Sequence, residues 1–172
     1  PTTLSNNLLV NSNVEFEDTL LVKGNTTLSN DVLIHGPVTL SNSLLVNSNV
    51  EFEDTLLVKG NTTLSNNVLI YGPTTLSNSL LVNSNVEFED TLLVKGKTTL
   101  SNDVLIHGPV TLSNSLLVNS NVEFEDTLLV KGNTTLSNDV LIHGPATLSN
   151  SLLVNSNVDF EDTLLVKGNT TG

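Results

Sequence analysis

Short apolar segments separated by polar residues recur every twelve residues along the chain. Residues 37–72 show the pattern in three consecutive lines, PVTLSNSLLVNS, NVEFEDTLLVKG and NTTLSNNVLIYG. Within each twelve-residue coil, apolar or β-branched residues occupy positions 2, 4, 8 and 10, and Gly, Pro, Asn and Asp lie between the segments. Because strand side chains alternate between two faces, this pattern predicts two short strands per coil with those four positions facing inward. No 3.6-residue period is present, and we expect an all-β chain.

A longer repeat is superimposed on the coils. Proline recurs every 36 residues, so three coil types rotate in strict order, and we call them the proline, acidic and histidine coils. The sequence therefore predicts one repetitive segment over 1–172 and no globular domain, with units starting at 1, 37, 73, 109 and 145. We expect an elongated rod of fourteen 12-residue coils in which each coil packs against its neighbours. Glycine and proline are interpreted as turn residues, glycine because it adopts positive φ.

Position 9 of the coil does not follow the alternation. It is leucine in every coil, beginning with Leu9, Leu21, Leu33, Leu45, Leu57 and Leu69. An outward column of leucine would exceed the apolar patch that a monomer normally exposes, so we expect another chain to cover it. The alternative is a locally distorted strand that turns position 9 inward.

Two kinds of assembly would bury such a column of leucines. Flattened two-sided β-solenoids would pack through their leucine stripes, whereas three intertwined chains would form a trimeric β-helix or β-spiral. We favour a homotrimer, because a twelve-residue coil offers few core side chains and small cores usually need staples or oligomerisation.

Composition and charge exclude several classes of function. The chain has no cysteine, which excludes a disulfide scaffold, a thiolate nucleophile and a cysteine zinc site. The net charge of −12 argues against nucleic-acid binding, which requires cations that neutralise phosphates. No apolar run approaches the length of a membrane span, so no membrane insertion is expected.

The acidic and histidine coils supply the candidate chemistry. Each acidic coil places three carboxylates together, as at Glu15, Glu17 and Asp18. We interpret them as a solvated surface that limits aggregation; loose cation binding and a glycosidase-like pair are alternatives, although a convex rod is expected to offer no pocket. His35 and its counterparts are interpreted as surface turn residues, too far apart to share a metal; the counterparts are His107 and His143. We therefore predict no enzyme, no catalytic residue, no cofactor and no metal site.

Two further motifs suggest rival functions. Asn25, Asn61, Asn133 and Asn169 begin Asn-Thr-Thr sequons, which would accept glycans in a secreted eukaryotic protein but also suit turns. Regularly spaced outward threonines would suit ice binding on a flat solenoid. Because the equivalent residue is acidic in every acidic coil, we expect any such array to be interrupted.

Repeats such as Gly60-Asn61-Thr62-Thr63-Leu64-Ser65-Asn66 followed by Val68-Leu69-Ile70 resemble the shafts of bacteriophage tail fibres and other viral fibres. The resemblance covers the whole chain. It implies an extracellular, homotrimeric, very stable rod on a virion that holds a receptor-binding tip, with no catalytic residues. The shaft of a cell-surface adhesin is the alternative.

Overall fold

The chain folds into a three-sided β-solenoid without any helix. A computed structural model describes all 172 residues, and its 29 short strands belong to three parallel sheets. Strand partners differ by 18 residues along the whole chain, as in the pairing of Thr2 with Leu20 and of Leu56 with Thr74. One turn of the solenoid is therefore three six-residue sides, each with one strand and one corner.

Each sheet collects every third strand, and the strands are named in chain order. Sheet A contains β1 Thr2–Leu4, β4 Leu20–Val22, β7 Val38–Leu40, β10 Leu56–Val58, β13 Thr74–Leu76, β16 Leu92–Val94, β19 Val110–Leu112, β22 Leu128–Val130, β25 Ala146–Leu148 and β28 Leu164–Val166. Sheet B contains β2 Leu8–Val10, β5 Thr26–Leu28, β8 Leu44–Val46, β11 Thr62–Leu64, β14 Leu80–Val82, β17 Thr98–Leu100, β20 Leu116–Val118, β23 Thr134–Leu136, β26 Leu152–Val154 and β29 Thr170–Thr171. Sheet C contains β3 Val14–Phe16, β6 Val32–Ile34, β9 Val50–Phe52, β12 Val68–Ile70, β15 Val86–Phe88, β18 Val104–Ile106, β21 Val122–Phe124, β24 Val140–Ile142 and β27 Val158–Phe160.

The predicted alternation of inward and outward side chains is confirmed. In β10, Leu56 and Val58 are buried, while Leu57 between them faces outward and is half-buried. The same pattern in the other strands produces one continuous core of 40 buried apolar residues. Position 9 of the coil therefore points outward, and the distorted strand that would turn it inward is not present.

The prediction that one turn of the rod contains twelve residues is wrong. Two six-residue sides make up each twelve-residue coil, but three sides are needed to close one turn around the core. The chain thus forms about nine turns rather than fourteen, and one 36-residue unit spans two of them. At about 4.8 Å per strand, ten stacked strands give a rod about 43 Å long.

The leucines at position 9 do not form a single column. Register places Leu21 between Thr3 and Thr39 on sheet A, and Leu45 between Thr27 and Thr63 on sheet B. On sheet C, leucine alternates with glutamate in the same way. The single stripe expected from the sequence is therefore divided among three faces and interrupted at every second strand.

Glycine occurs at the corners between sheets A and B and between sheets C and A. No residue in the chain has a positive φ, so conformational freedom does not explain these glycines. A Cβ added to Gly60 would lie 2.5 Å from the carbonyl carbon of Asn42 in the preceding turn. The backbones of successive turns thus approach too closely at this corner for a side chain. The interpretation of glycine as a positive-φ turn residue is wrong, and close approach is its physical role.

Candidate functional site

The outward surface of sheet C carries a row of alternating acidic and leucine side chains, which we call the acidic ladder. Its central outward positions are alternately acidic and leucine, in the order Glu15, Leu33, Glu51, Leu69, Glu87, Leu105, Glu123, Leu141 and Asp159. Acidic strands stack between histidine-coil strands, so ladder carboxylates recur at every second turn, about 9.6 Å apart. This spacing replaces the wider one that a twelve-residue turn would have given.

A shallow groove of about 1540 Å³ follows this sheet along the rod. A row of Asn and Asp side chains, including Asn49 and Asp103, borders it, and the ladder residues Glu51 and Leu69 line it. The sequence predicted a convex rod without a pocket, and this groove is shallow and open along its length. No helix in the structure is long and apolar enough to span a membrane.

The residue that directly follows each strand of sheet C forms a second row beside the ladder. We call it the histidine row, and it runs Glu17, His35, Glu53, Tyr71, Glu89, His107, Glu125, His143 and Glu161. The 18-residue turn generates this order, because it places the residue after a histidine-coil strand between the equivalent residues of two acidic strands. Every histidine of the chain thus lies between carboxylates.

Each histidine contacts carboxylates of the turns before and after it. In His35, Nδ1 lies 2.6 Å from Oε2 of Glu53, and Nε2 lies 2.8 Å from Oε1 of Glu15. His107 repeats the geometry, with Nδ1 2.6 Å from Glu125 and Nε2 3.0 Å from Glu87. Since ionised carboxylates only accept hydrogen bonds, both ring nitrogens donate when the imidazole is protonated.

His143 makes two such contacts as well. Its Nδ1 lies 2.6 Å from Oε2 of Glu161 and its Nε2 lies 2.7 Å from Oε1 of Glu123. Two turns separate His143 from His107, so the histidines share no ligand with one another. The sequence did not indicate their carboxylate partners.

These contacts change the protonation of the imidazoles. Hydrogen bonds from His35 to Glu53 and then to Glu15 raise its pKa to about 9. Hydrogen bonds to Glu125 and then Glu87 raise the pKa of His107 to about 9. Both imidazoles are therefore protonated at neutral pH and offset part of the charge of the acidic ladder.

The remaining candidates have local roles. Asp54 accepts a hydrogen bond of 2.6 Å from the backbone N–H of Thr55, and Asp18 caps Thr19 in the same way at the same corner. The third carboxylate of each acidic coil thus shapes a turn and does not join the ladder. Asn61 and the other sequon asparagines are exposed beside sheet B.

Comparison with known proteins gives no relative. No protein-family model matches the chain, and no curated protein and no solved structure matches it.

Proposed function

We propose that the chain is a rigid structural rod, the shaft of a viral or phage fibre that holds a receptor-binding tip away from the particle. The observation that carries this proposal is the unbroken register. Every strand pairing joins residues 18 apart without an insertion or bulge, from Leu8 with Thr26 near one end to Leu152 with Thr170 at the other. Regular stacking of this kind sets length by repeat number and leaves no hinge along the axis.

The shaft of a cell-surface adhesin would use the same rod, and an extracellular location suits both. A spacer role predicts that length follows repeat number. Insertion of a second copy of residues 73–108 after Gly108 adds two turns in register and lengthens the rod by about 9.6 Å. Small-angle X-ray scattering measures this change, and an unchanged length or an unfolded protein would contradict the proposal.

We propose that the rods associate as a homotrimer through the outward leucines and threonines of sheets A and B. The outward central positions of both sheets carry only leucine and threonine, and the acidic ladder lies on sheet C. Within one turn the two sheets are complementary, since Leu21 on sheet A accompanies Thr27 on sheet B, and Thr39 accompanies Leu45. Contacts made through these two sheets leave sheet C in solvent.

The core no longer requires this association, because one chain encloses its own interior. The trimer is supported by the uncharged central ladders of sheets A and B, although a lysine such as Lys59 directly follows every second strand of sheet A. Light scattering should give three times the mass of one chain, and Leu45→Asp with Leu81→Asp on sheet B should give monomers. The matched change on sheet C, Leu69→Asp with Leu105→Asp, should leave the mass unaltered; a wild-type monomer would contradict the trimer.

Ice binding is the second candidate, and one observation favours it more than the sequence did. The acidic residues expected to interrupt the threonine array lie on sheet C, so the outward threonines of sheet B, such as Thr63 and Thr99, belong to an uncharged ladder. Leucine still alternates with threonine there. Thermal hysteresis measured on the wild-type chain decides between the candidates, because a shaft predicts none.

A further inference from the structure

Two side-chain clusters in the histidine row bring three potential metal ligands together. They are Glu15, Glu17 and His35, and Glu87, Glu89 and His107, and the ligand atoms within each cluster lie within 4.8 Å of one another. Each cluster combines the two glutamates of one acidic strand and its flanking corner with the imidazole one turn later. The solenoid repeat therefore builds the same three-ligand arrangement twice.

The other nitrogen of each imidazole is already held. Nδ1 of His35 lies 2.6 Å from Glu53, and Nδ1 of His107 lies 2.6 Å from Glu125, each in the turn beyond. A carboxylate in this position accepts the Nδ1–H bond, fixes the tautomer and directs Nε2 toward the remaining ligands, as in carboxylate–histidine–metal triads. The outer partner of a metal-binding histidine is thus present at both clusters.

The acceptor atoms around Nε2 favour positive charge among them, which a proton on Nε2 or a bound cation can supply. In the second cluster, Nε2 of His107 lies 3.0 Å from Oε1 of Glu87 and 3.9 Å from Oε1 of Glu89. These oxygens and a neutral Nε2 are all acceptors and repel one another unless positive charge lies among them. A proton on Nε2 forms a hydrogen bond to one oxygen, whereas a divalent ion can be coordinated by the nitrogen and by both carboxylates.

His143 has only one glutamate near its Nε2, because of the order of residues in the histidine row. Glu125, the counterpart of Glu89 one unit later, is engaged by Nδ1 of His107 and contacts no atom of His143 within ion-pair distance. Glu89 is free for His107, because the preceding row position is Tyr71 and supplies no ring nitrogen. The chain therefore contains two three-ligand clusters, one two-ligand contact and one position without a histidine.

We propose that the two clusters each bind a divalent transition-metal ion, of which Zn²⁺ is the best fit, through Nε2 of the histidine and the two glutamates. Imidazole with carboxylates is a common ligand set for Zn²⁺, and water completes a tetrahedral site. The Nε2 proton leaves to solvent as the ion binds. Bound ions would bridge successive turns and replace the imidazolium charge with a larger one.

Calorimetric titration of the chelator-treated protein with ZnCl₂ at pH 8 tests the proposal. We expect two tight ions per chain. The double variant His35→Tyr with His107→Tyr should lose both, while the matched His143→Tyr should keep both. Tyrosine already occupies this row at Tyr71, so all three substitutions suit the fold, and circular dichroism verifies it.

A single change, Glu89→Gln, should weaken one of the two sites and leave the other unaltered. CaCl₂ serves as a probe for carboxylates alone, and its binding should be the same in the wild type and in the double histidine variant. Zinc binding that survives the double histidine variant would overturn the proposal. Equal loss in His143→Tyr, or no saturable zinc binding by the folded wild type, would overturn it as well.

Discussion

His143 and Glu161 lie one turn apart, with Nδ1 of the imidazole 2.6 Å from Oε2 of the carboxylate. On the opposite side of the ring, Nε2 lies 2.7 Å from Glu123. Hydrogen bonds to Glu123 and then to Glu161 raise the pKa of His143 above its usual 6.5. The imidazole of His143 therefore connects three successive turns of the rod by hydrogen bonds. Both bonds form only when the imidazole is protonated.

A pH prediction follows for this histidine. With His35→Tyr and His107→Tyr in place, His143 is the only histidine, and its ring resonances should titrate above pH 6.5 in an NMR experiment. A raised folded-state pKa means that the contribution to the free energy of unfolding is complete below 6.5 and disappears as the pH rises through the folded-state value. Adding His143→Tyr should therefore cost more stability at pH 6 than at alkaline pH. A titration midpoint at or below 6.5 would contradict the contacts described for this imidazole.

Because the backbones of successive turns approach closely at the glycine corners, a side chain added there should destabilise the fold. Gly60→Ala places a Cβ 2.5 Å from backbone atoms of Asn42 and Ser43, so it should lower the free energy of unfolding by about 1–3 kcal/mol. The corner between sheets B and C has no glycine, and Ser84→Ala there should change stability by less than about 0.5 kcal/mol. Denaturant titration of both variants makes the comparison, and equal stability of the two would contradict it.

Four threonines of sheet B bury hydroxyl groups without a partner. They are Thr26, Thr62, Thr98 and Thr134, all at inward positions of their strands. An unpaired buried hydroxyl costs about 1–3 kcal/mol, so Thr62→Val should raise the free energy of unfolding by about 1 kcal/mol. Thr63→Val on the outward face of the same strand is the control and should have a smaller effect. A loss of stability in Thr62→Val would mean that the hydroxyl has a partner after all.

The sequence predicted the strands of this fold correctly, but it did not predict how many sides make up one turn of the solenoid. Alternation around residues such as Leu56, Leu57 and Val58 correctly indicated three-residue strands and the buried face, because that information is local. The number of sides per turn depends on how the corners stack. Both two and three six-residue sides agree with a twelve-residue repeat, and no local signal separates them.

The candidate site was missed for the same reason. His35 contacts Glu15 and Glu53, which are 20 and 18 residues away. With a turn of twelve residues these side chains would not be neighbours, and only an 18-residue turn brings them together. The sequence signal was nonetheless present, since an 18-residue spacing relates each of His35, His107 and His143 to the glutamates before and after it in the histidine row.

The central claim is a rigid rod with 18 residues per turn, and a single distance tests it directly. Leu33 and Leu141 occupy the same outward position on sheet C, six strand spacings apart, and the chain has no native cysteine. Spin labels on Leu33→Cys and Leu141→Cys, diluted with unlabelled chain, can be measured by double electron–electron resonance. The fold predicts a narrow distribution centred at about 29 Å. A distance near about 43 Å, as twelve-residue turns would give, or a broad distribution would contradict the account.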